Sequence, residues 1–287
     1  MQGEWGRSVK GSRGPARPHR DGVSRCHRAS RRLPRLLPLP GAAHSAGKTG
    51  TGTADERVLT RIRALLAKAE STDYAEEAEA LSAKAQELMT RHSLKRLVVE
   101  AAADDRAPAS ARRLWLDAPY AGAKALLVDV VAVANRCSAV WSEDLGVATV
   151  VGDQRDLALT ELLVTSLLVQ ATRAMVDGGQ QAATRQRSFR QSFLIAYATR
   201  IGERLRKASD TATTTEQLLR PELLPVLAAE NERVERARDA MFPTLVSRRV
   251  AVSNAHGWPP AGPQPTRPGS TTAPRSTSGP PRDPGCW

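Results

Sequence analysis

The stretch that decides the fold, residues 57–94, reads RVLTRIRALLAKAESTDYAEEAEALSAKAQELMTRHSL. Its first half carries apolar residues that recur every three or four positions: Val58, Ile62, Leu65, Leu66 and Ala69. The second half repeats this spacing at Ala78, Leu81, Ala85, Leu88 and His92. Between them stands Ser71-Thr72-Asp73, with Asp73 placed to cap the second helix. The sequence therefore predicts two helices packed as an antiparallel hairpin, which needs a further packing partner because its own core is small.

Three glutamates, Glu76, Glu77 and Glu79, follow Asp73. Carboxylates at a helix start complement the positive end of the helix dipole, so capping explains them. The alternative is an acidic catalytic or metal site shared with His92. However, His92 comes about four turns after Asp73, and the chain has no His-Glu-x-x-His pattern. We therefore predict no metal and no cofactor.

The basic character of the chain belongs to its two ends. The formal net charge of +12 is typical of proteins that bind nucleic acid or membrane surfaces. Residues 1–54 contribute +9 and residues 244–287 contribute +4, which leaves −1 for the region between them. Both ends are rich in Arg, Pro, Gly and Ser, and they cannot bury enough apolar area to offset the entropy of ordering. The charge therefore gives little support for nucleic-acid binding by the folded core.

The sequence predicts five segments: a disordered basic tail at 1–54, a helical hairpin domain at 55–100, a linker at 101–113, an α+β domain at 114–252 and a disordered Pro/Ser/Thr-rich tail at 253–287. Within the α+β domain we expect a strand at 114–116, a helix at 121–134, strands at 137–141 and 147–151, and a leucine-rich helix capped by Asp153. The predicted fold class is α+β, with an N-terminal helical hairpin and a small antiparallel sheet packed by several helices.

The next predicted helix combines a bulky stripe with many cations. Aromatic and aliphatic residues recur every four positions, at Phe189, Phe193, Tyr197, Ile201 and Leu205. We expect the opposite surface to carry the basic residues, which are Arg185, Arg187, Arg190, Arg200, Arg204, Arg206 and Lys207. Such a face can track a phosphate backbone. The alternative is a solvated surface whose arginines pair with acids of the last helix, namely Glu230, Glu232 and Glu235. We expect a flexible connection at 209–215 and a last helix at 226–242.

Other patterns favour structural roles. Gly47-Lys48-Thr49 lacks phosphate-loop spacing, because five residues separate Gly47 from Gly41, and prolines replace the leading strand. Cys137 precedes a predicted strand, which favours a buried structural thiol over a nucleophile. We also expect Trp115 and Trp141 to pack in the core rather than to stack on bases. Three scattered cysteines and the lack of a long apolar run indicate a cytoplasmic protein without a membrane partner.

With these residues in view, 57–94 resembles the bacterial and phage family called domain of unknown function 2786. The matching positions are Ile62, Leu65-Leu66, Ala69, Glu77-Ala78, Ala85-Gln86, Leu88-Met89 and His92. Residues 114–208 resemble the domain that often follows it, domain of unknown function 7168, at Val151-Gly152-Asp153 and Phe189-Arg190-Gln191-Ser192-Phe193-Leu194. That family usually has Gly where this chain has Ala196. The resemblance implies an actinobacterial or phage-like α+β protein and brings no catalytic residues.

The resemblance to these families stops near Trp258, and most of residues 1–54 lie outside it. GC-rich DNA read out of frame or upstream of a true start encodes this Arg/Pro/Gly/Ser composition. We therefore expect both tails to be sequence that does not conform to the family.

The leading functional hypothesis is a binding or adaptor module that is not an enzyme and works through helix faces on nucleic acid or on proteins of mobile elements. One alternative is a metal-dependent hydrolase or nuclease whose acids lie near the hairpin. A second alternative is a purely structural protein-protein interaction protein. The sequence leaves the oligomeric state open.

Overall fold

The computed structural model describes residues 5–9, 36, 53–103, 106–177 and 187–248, and only the backbone of residues 5–9, 53–54 and 246–248. The elements in this part are β1 Trp5–Val9, α1 Thr53–Ser71, α2 Ala75–Ala102, β2 Ser110–Trp115, α3 Ala121–Ala134, β3 Ser138–Ser142, β4 Val147–Gly152, α4 Gln154–Asp177, α5 Arg187–Leu219, α6 Leu223–Met241 and β5 Leu245–Arg248. The protein is α+β, as the sequence predicted.

The helical hairpin forms as predicted, with α1 packed against α2. Ile62 and Leu66 of α1 and Met89 of α2 are fully buried, and burying each contributes about 1.5–3 kcal/mol. The predicted cap is wrong, because the N-cap of α2 is Tyr74, which makes no side-chain cap bond. Instead the hydroxyl of Thr72 accepts from the backbone N–H of Tyr74 at 3.3 Å and donates to Glu77 at 2.6 Å.

Helix α2 runs further than the sequence predicted. It continues to Ala102, because Leu97 extends its buried side and neither Gly nor Pro interrupts the chain before Pro108. Arg96 therefore lies inside the helix rather than at its end. Strand β2 begins at Ser110, so the connection between hairpin and sheet is shorter than the predicted linker 101–113.

The sheet has the strand order β2-β4-β3-β1-β5. Its antiparallel part, β2, β4 and β3, is the small sheet that the sequence predicted, with Thr149 paired to Arg113 on one side and Val140 on the other. A 3-10 turn joins β3 to β4 and ends at Gly146, whose φ of 63° is in the left-handed region that favours glycine. Every residue of β4 is buried, because helices cover both sides of the strand.

Strand β1 comes from the predicted N-terminal tail. It pairs parallel to β3 and antiparallel to β5, so residues 5–9 form a strand in a segment where the sequence indicated no regular structure. The other residues of 1–52 except Leu36, and all of 253–287, lie outside the described residues. The predictions for the Gly47-Lys48-Thr49 triplet and for Arg185 also fall outside them.

The main core lies on one side of the sheet, where α3, α4 and α5 pack together. Its fully buried side chains include Val131, Leu163 and Leu205, one from each helix. Helices α3 and α5 approach closely at Gly202, where an added Cβ would lie 2.9 Å from the Cβ of Val130. A smaller cluster under α6, centred on Phe242, covers the other side of the sheet.

Helix α5 is continuous from Arg187 to Leu219, so the predicted flexible connection at 209–215 is wrong. The threonines that suggested a loop are accommodated in the helix: the hydroxyls of Thr211 and Thr215 donate to the carbonyls four residues earlier at 2.8 and 2.9 Å. Burial of Ala212 anchors this part of the helix. Tertiary packing therefore overrides the weak helix propensity of the local sequence.

Helix α4 is the one described helix that is long and apolar enough to cross a membrane. Its apolar window, within Gln154–Val176, is 44% buried inside the fold. Leu159, Leu163 and Leu167 belong to the main core. Core packing therefore accounts for much of the apolar character of this helix.

Candidate functional site

The buried side of α2 carries a row of polar side chains, which we call the α2 polar row. Its members recur at helical spacing and are all at most 7% exposed: Glu79, Ser82, Gln86, Thr90 and Ser93. Each one binds a residue of α3, α4 or α5, or of the turn after α3. The hairpin is thus attached to the rest of the fold by directional contacts in addition to its apolar stripe.

Gln86 is the centre of this row. Its amide nitrogen lies 3.1 Å from the carbonyl oxygen of Ala134 and 3.2 Å from Oδ1 of Asn135, at the end of α3. Asn135 in turn donates to the carbonyl of Val131 at 2.9 Å. Both amides are at most 1% exposed, so water cannot replace these hydrogen bonds if they are lost.

An ion-pair cluster surrounds Asp156, in the first turn of α4. The Asp156 carboxylate accepts from the hydroxyl of Ser93 at 2.7 Å, from Arg96 at 3.2 Å and from Arg136 at 3.3 Å. Arg96 also binds Asp153 at 2.9 Å and Glu100 at 3.0 Å. Burial lowers the pKa of Arg96, but the charges of Asp156, Asp153 and Glu100 outweigh it and raise the pKa above its ordinary value. The arginine therefore stays charged and holds α2 to the start of α4.

Asp153 itself caps α4, as the sequence predicted. Its carboxylate accepts from the backbone N–H of Arg155 at 2.9 Å. The cluster continues from here to α6, where Arg233 binds Glu230 at 2.6 Å and the carbonyl of Ala107. Arg233 is 4.0 Å from Asp153. The cluster therefore links α2, α4, α6 and the connection before β2.

Arg136 has an unusual backbone. Its φ of 58° is in the left-handed region, at the position after α3 where helices commonly end with glycine. The backbone N–H of Cys137 closes this helix end by donating to the carbonyl of Ala132 at 2.8 Å. A non-glycine residue here costs about 1–2 kcal/mol, and the bond from Arg136 to buried Asp156 offsets that cost.

The predicted basic helix surface divides into two groups. Arg200 and Arg204 are half-buried and bind Glu79 through Nε, at 2.9 and 2.6 Å. Two of the acids on the last helix bind arginines of their own helix: Glu230 binds Arg233 and Glu232 binds Arg236. The exposed members on the described part of α5 are Arg187, Arg190, Arg206 and Lys207.

Helix geometry explains why these arginines were assigned to the wrong side. A step of four residues exceeds one helical turn by about 40°. The stripe from Phe189 to Leu205 therefore winds around α5, and Phe193 and Tyr197 share a side of the helix with Arg200 and Arg204. Their rings stack with centroids 6.3 Å apart.

The acidic groups near the hairpin do not come together. Glu77 binds Lys68 at 2.9 Å, and the hydrogen bond from Thr72, followed by the bond from Lys68, lowers its pKa. Glu79 binds the two arginines, Glu76 is exposed, and His92 lies 3.8 Å from Asp55. Within the described ranges, no group of three or more His, Cys, Asp or Glu side chains could hold a metal ion. This geometry gives the hydrolase hypothesis no support.

Cys137 is a buried thiol, as predicted. Burial, followed by the charge of Asp156, raises its pKa well above the ordinary range. An added Cβ at Gly152 would lie 2.5 Å from its Sγ, so the thiol fills the space against β4. The two tryptophans differ: Trp141 is buried, but Trp115 is 70% exposed. The core prediction for Trp115 is wrong because β2 is an edge strand.

Half-buried His92 gives the fold a pH dependence. Burial lowers its pKa, and Arg96 and Arg155 act in the same direction against Asp55 and Asp156. In the unfolded chain His92 binds a proton near its ordinary pKa of 6.5. In the folded chain the imidazole has a lower pKa and binds a proton less readily. Stability is full above that pH and falls as the pH decreases towards the lower folded pKa. We expect His92→Gln to lose less stability than the wild type between about pH 7 and 5, as measured by thermal unfolding. Equal losses in both proteins would contradict this assignment.

Comparison with known proteins places the family match on the hairpin. Residues 57–96 match a family described as "Protein of unknown function (DUF2786)". No curated protein and no solved structure matches the chain. The match ends at Arg96, so it includes every member of the α2 polar row. The predicted resemblance of residues 114–208 to domain of unknown function 7168 stays a prediction.

Sequence reasoning gave Gln86 and Ser93 no structural role and missed the cluster around Asp156. The signal that could have found the row is its composition: four of its five members carry hydroxyl or amide groups, whereas a solvated helix side usually carries Lys and Glu. No comparable signal points to Arg136, because its role depends on the backbone conformation after α3.

Proposed function

We propose that this protein is a binding module that holds a nucleic-acid backbone along one side of α5. At about 100° per residue, Arg190, Arg200, Arg204 and Lys207 fall within an arc of about 100°. They span about 26 Å of helix. We call these four residues the basic strip.

The length of the strip supports a polymeric anion. Duplex DNA carries one charge for about every 1.7 Å of its axis, so a strip of this length faces several phosphates at once. A single phosphorylated side chain engages one or two arginines and leaves the others without a role. The arrangement therefore favours nucleic acid over a phosphoprotein.

The acids of the fold support binding over catalysis. Glu79, Asp156 and Glu230 are buried, and each is held by at least one arginine. A catalytic carboxylate has to reach a substrate, whereas these groups connect helices. We assign them to the scaffold and propose that the partner lies along the basic strip.

The remaining parts of the proposal rest on the sequence. The proposed resemblance of residues 114–208 to domain of unknown function 7168 rests on the Val151-Gly152-Asp153 motif and on the sequence from Phe189 to Leu194. We also propose a bacterial or phage origin and a cytoplasmic location, where nucleic acid is accessible.

Protein binding is the second candidate, and an apolar corner between α5 and α6 favours it. Leu218, Leu219 and Leu224 are 82, 72 and 59% exposed. Exposed leucines close together in sequence are typical of contact surfaces. Substitutions in the basic strip would not change the affinity for a protein partner that binds at this corner.

Lys207→Glu tests the proposed nucleic-acid contact. Lys207 is exposed and lies in the basic strip, so we expect about tenfold weaker binding of duplex DNA and a salt slope smaller by about 1. Fluorescence anisotropy of a labelled duplex over a range of salt concentrations measures both. Arg206→Glu is the matched control, since it makes the same charge change one residue away but about 100° around the helix. Equal effects of both variants would reject the strip as the contact surface.

A further inference from the structure

One carboxylate holds two of the four cations of the basic strip. Glu79 has 9% of its side chain exposed, while Arg200 and Arg204 have 32 and 39% exposed. Both arginines bind it through Nε. An arginine held at Nε keeps its two Nη groups for another acceptor, and this edge of the guanidinium matches a phosphate bidentately.

A second donor lies beside this pair. Tyr197 is one turn before Arg200 on the same side of α5, and its buried hydroxyl has no hydrogen-bond partner among the described residues. A buried donor without an acceptor is costly. The described residues supply no acceptor for this hydroxyl, which therefore stays available as a donor beside the two arginines.

We propose that Glu79 is a positioning residue that fixes Arg200 and Arg204 for contact with neighbouring phosphates of a nucleic-acid backbone; this rests on the nucleic-acid binding proposed above. Free arginine side chains lose rotamer entropy when they bind. Two guanidiniums already fixed by a buried carboxylate lose less, so their binding is stronger at equal charge. The hairpin thereby shapes the binding surface of the second domain without contacting the ligand.

The sign of one charge change separates this role from simple electrostatics. Glu79→Gln raises the net charge by one, so a carboxylate that only neutralised the arginines would bind DNA more tightly once removed. A positioning carboxylate gives the opposite result. We expect Glu79→Gln in the full-length chain to bind a labelled duplex about tenfold more weakly, with a salt slope smaller by about 2. Glu232→Gln, the same charge change at an exposed carboxylate, is the control and leaves binding unchanged or slightly tighter.

A triple variant covers the case in which Glu79→Gln does not fold. Glu79→Gln/Arg200→Gln/Arg204→Gln replaces the whole ion group by similar shapes and leaves no unpaired buried charge. We expect it to fold, as checked by circular dichroism, and to show the same smaller salt slope. The proposal is overturned if the triple variant binds the duplex as tightly as the wild-type protein does. It is also overturned if folded Glu79→Gln binds the duplex more tightly than the wild type. If Lys207→Glu weakens binding while these variants do not, only the role of Glu79 fails. If Lys207→Glu binds duplex DNA as tightly as the wild-type protein does, the proposed nucleic-acid function itself fails.

Discussion

Asp156→Ala is expected to lower the free energy of unfolding by about 3–5 kcal/mol, because it breaks a buried ion pair by removing one partner. The change removes a buried carboxylate and leaves Arg136 without its ion-pair partner at 11% side-chain exposure. It also removes the acceptor of the Ser93 hydroxyl. Arg96 retains Asp153 and Glu100, so part of the cluster survives. Chemical denaturation gives the free energy of unfolding, and the midpoint temperature of thermal unfolding should fall by roughly 10 °C.

The surface pair of Glu232 and Arg236 provides the control. Its partners have 68 and 71% of their side chains exposed, so Glu232→Ala should cost less than about 1 kcal/mol. A second comparison is Asp156→Ala combined with Arg136→Gly. It removes the stranded cation and places glycine at a φ of 58°, so it should recover about 1–2 kcal/mol of the loss. Equal costs for Asp156→Ala and Glu232→Ala would show that the buried cluster does not stabilise the fold.

The sequence predicted the elements that depend on local signals. The boundaries of α3 follow from its apolar composition, and the hairpin β3–β4 follows from two β-rich runs around a glycine turn. The cap at Asp153 was predicted because a carboxylate directly before a helix bonds its first N–H groups. These features need information from only a few neighbouring residues.

The features that sequence reasoning missed depend on contacts between distant residues. Glu79 and Arg200 are 121 positions apart, and Ser82 and Gln170 are 88 apart. Position alone assigned Glu79 to the dipole of its own helix, although the fold directs it to α5. The continuous helix α5 was missed for the same reason, because its threonine-rich part is helical owing to its packing. Local helix propensity did not predict the structure where tertiary contacts determine the conformation.

The polar attachment of the hairpin has a consequence for the family match. The matched residues, 57–96, carry both the apolar stripe and the α2 polar row. An apolar stripe alone can pack against many surfaces, whereas buried hydrogen bonds require matching partners at fixed positions. Asn135, Gln170 and Ser209 supply such partners in the rest of the fold. These hydrogen bonds therefore fix the hairpin in one position against the rest of the fold.

Gln86→Ala is expected to show how much this attachment contributes. The substitution opens a cavity at a fully buried site and removes the donor to Oδ1 of Asn135. The carbonyl of Ala134 also loses its bond from Gln86 but keeps the one from the hydroxyl of Ser209 at 3.2 Å. We expect a loss of about 2–4 kcal/mol, from the cavity and from the buried oxygen of Asn135 that loses its donor. Denaturant unfolding measures the loss. Gln154→Ala, at an exposed glutamine, should change stability by no more than about 0.5 kcal/mol.

Hydrogen exchange and a double-mutant cycle then locate the effect. If Gln86 fastens the hairpin to the body, amides of α1 and α2 should lose protection in Gln86→Ala before those of β3 and β4 do. Replacing both amides, as Gln86→Leu with Asn135→Leu, leaves fewer unsatisfied groups than either single change. The double variant should therefore be more stable than the two single losses predict, by about 0.5–3 kcal/mol. Additive losses, or uniform loss of protection across the sheet, would mean that Gln86 acts as an ordinary core residue, and the attachment of the hairpin would then rest on its apolar stripe alone.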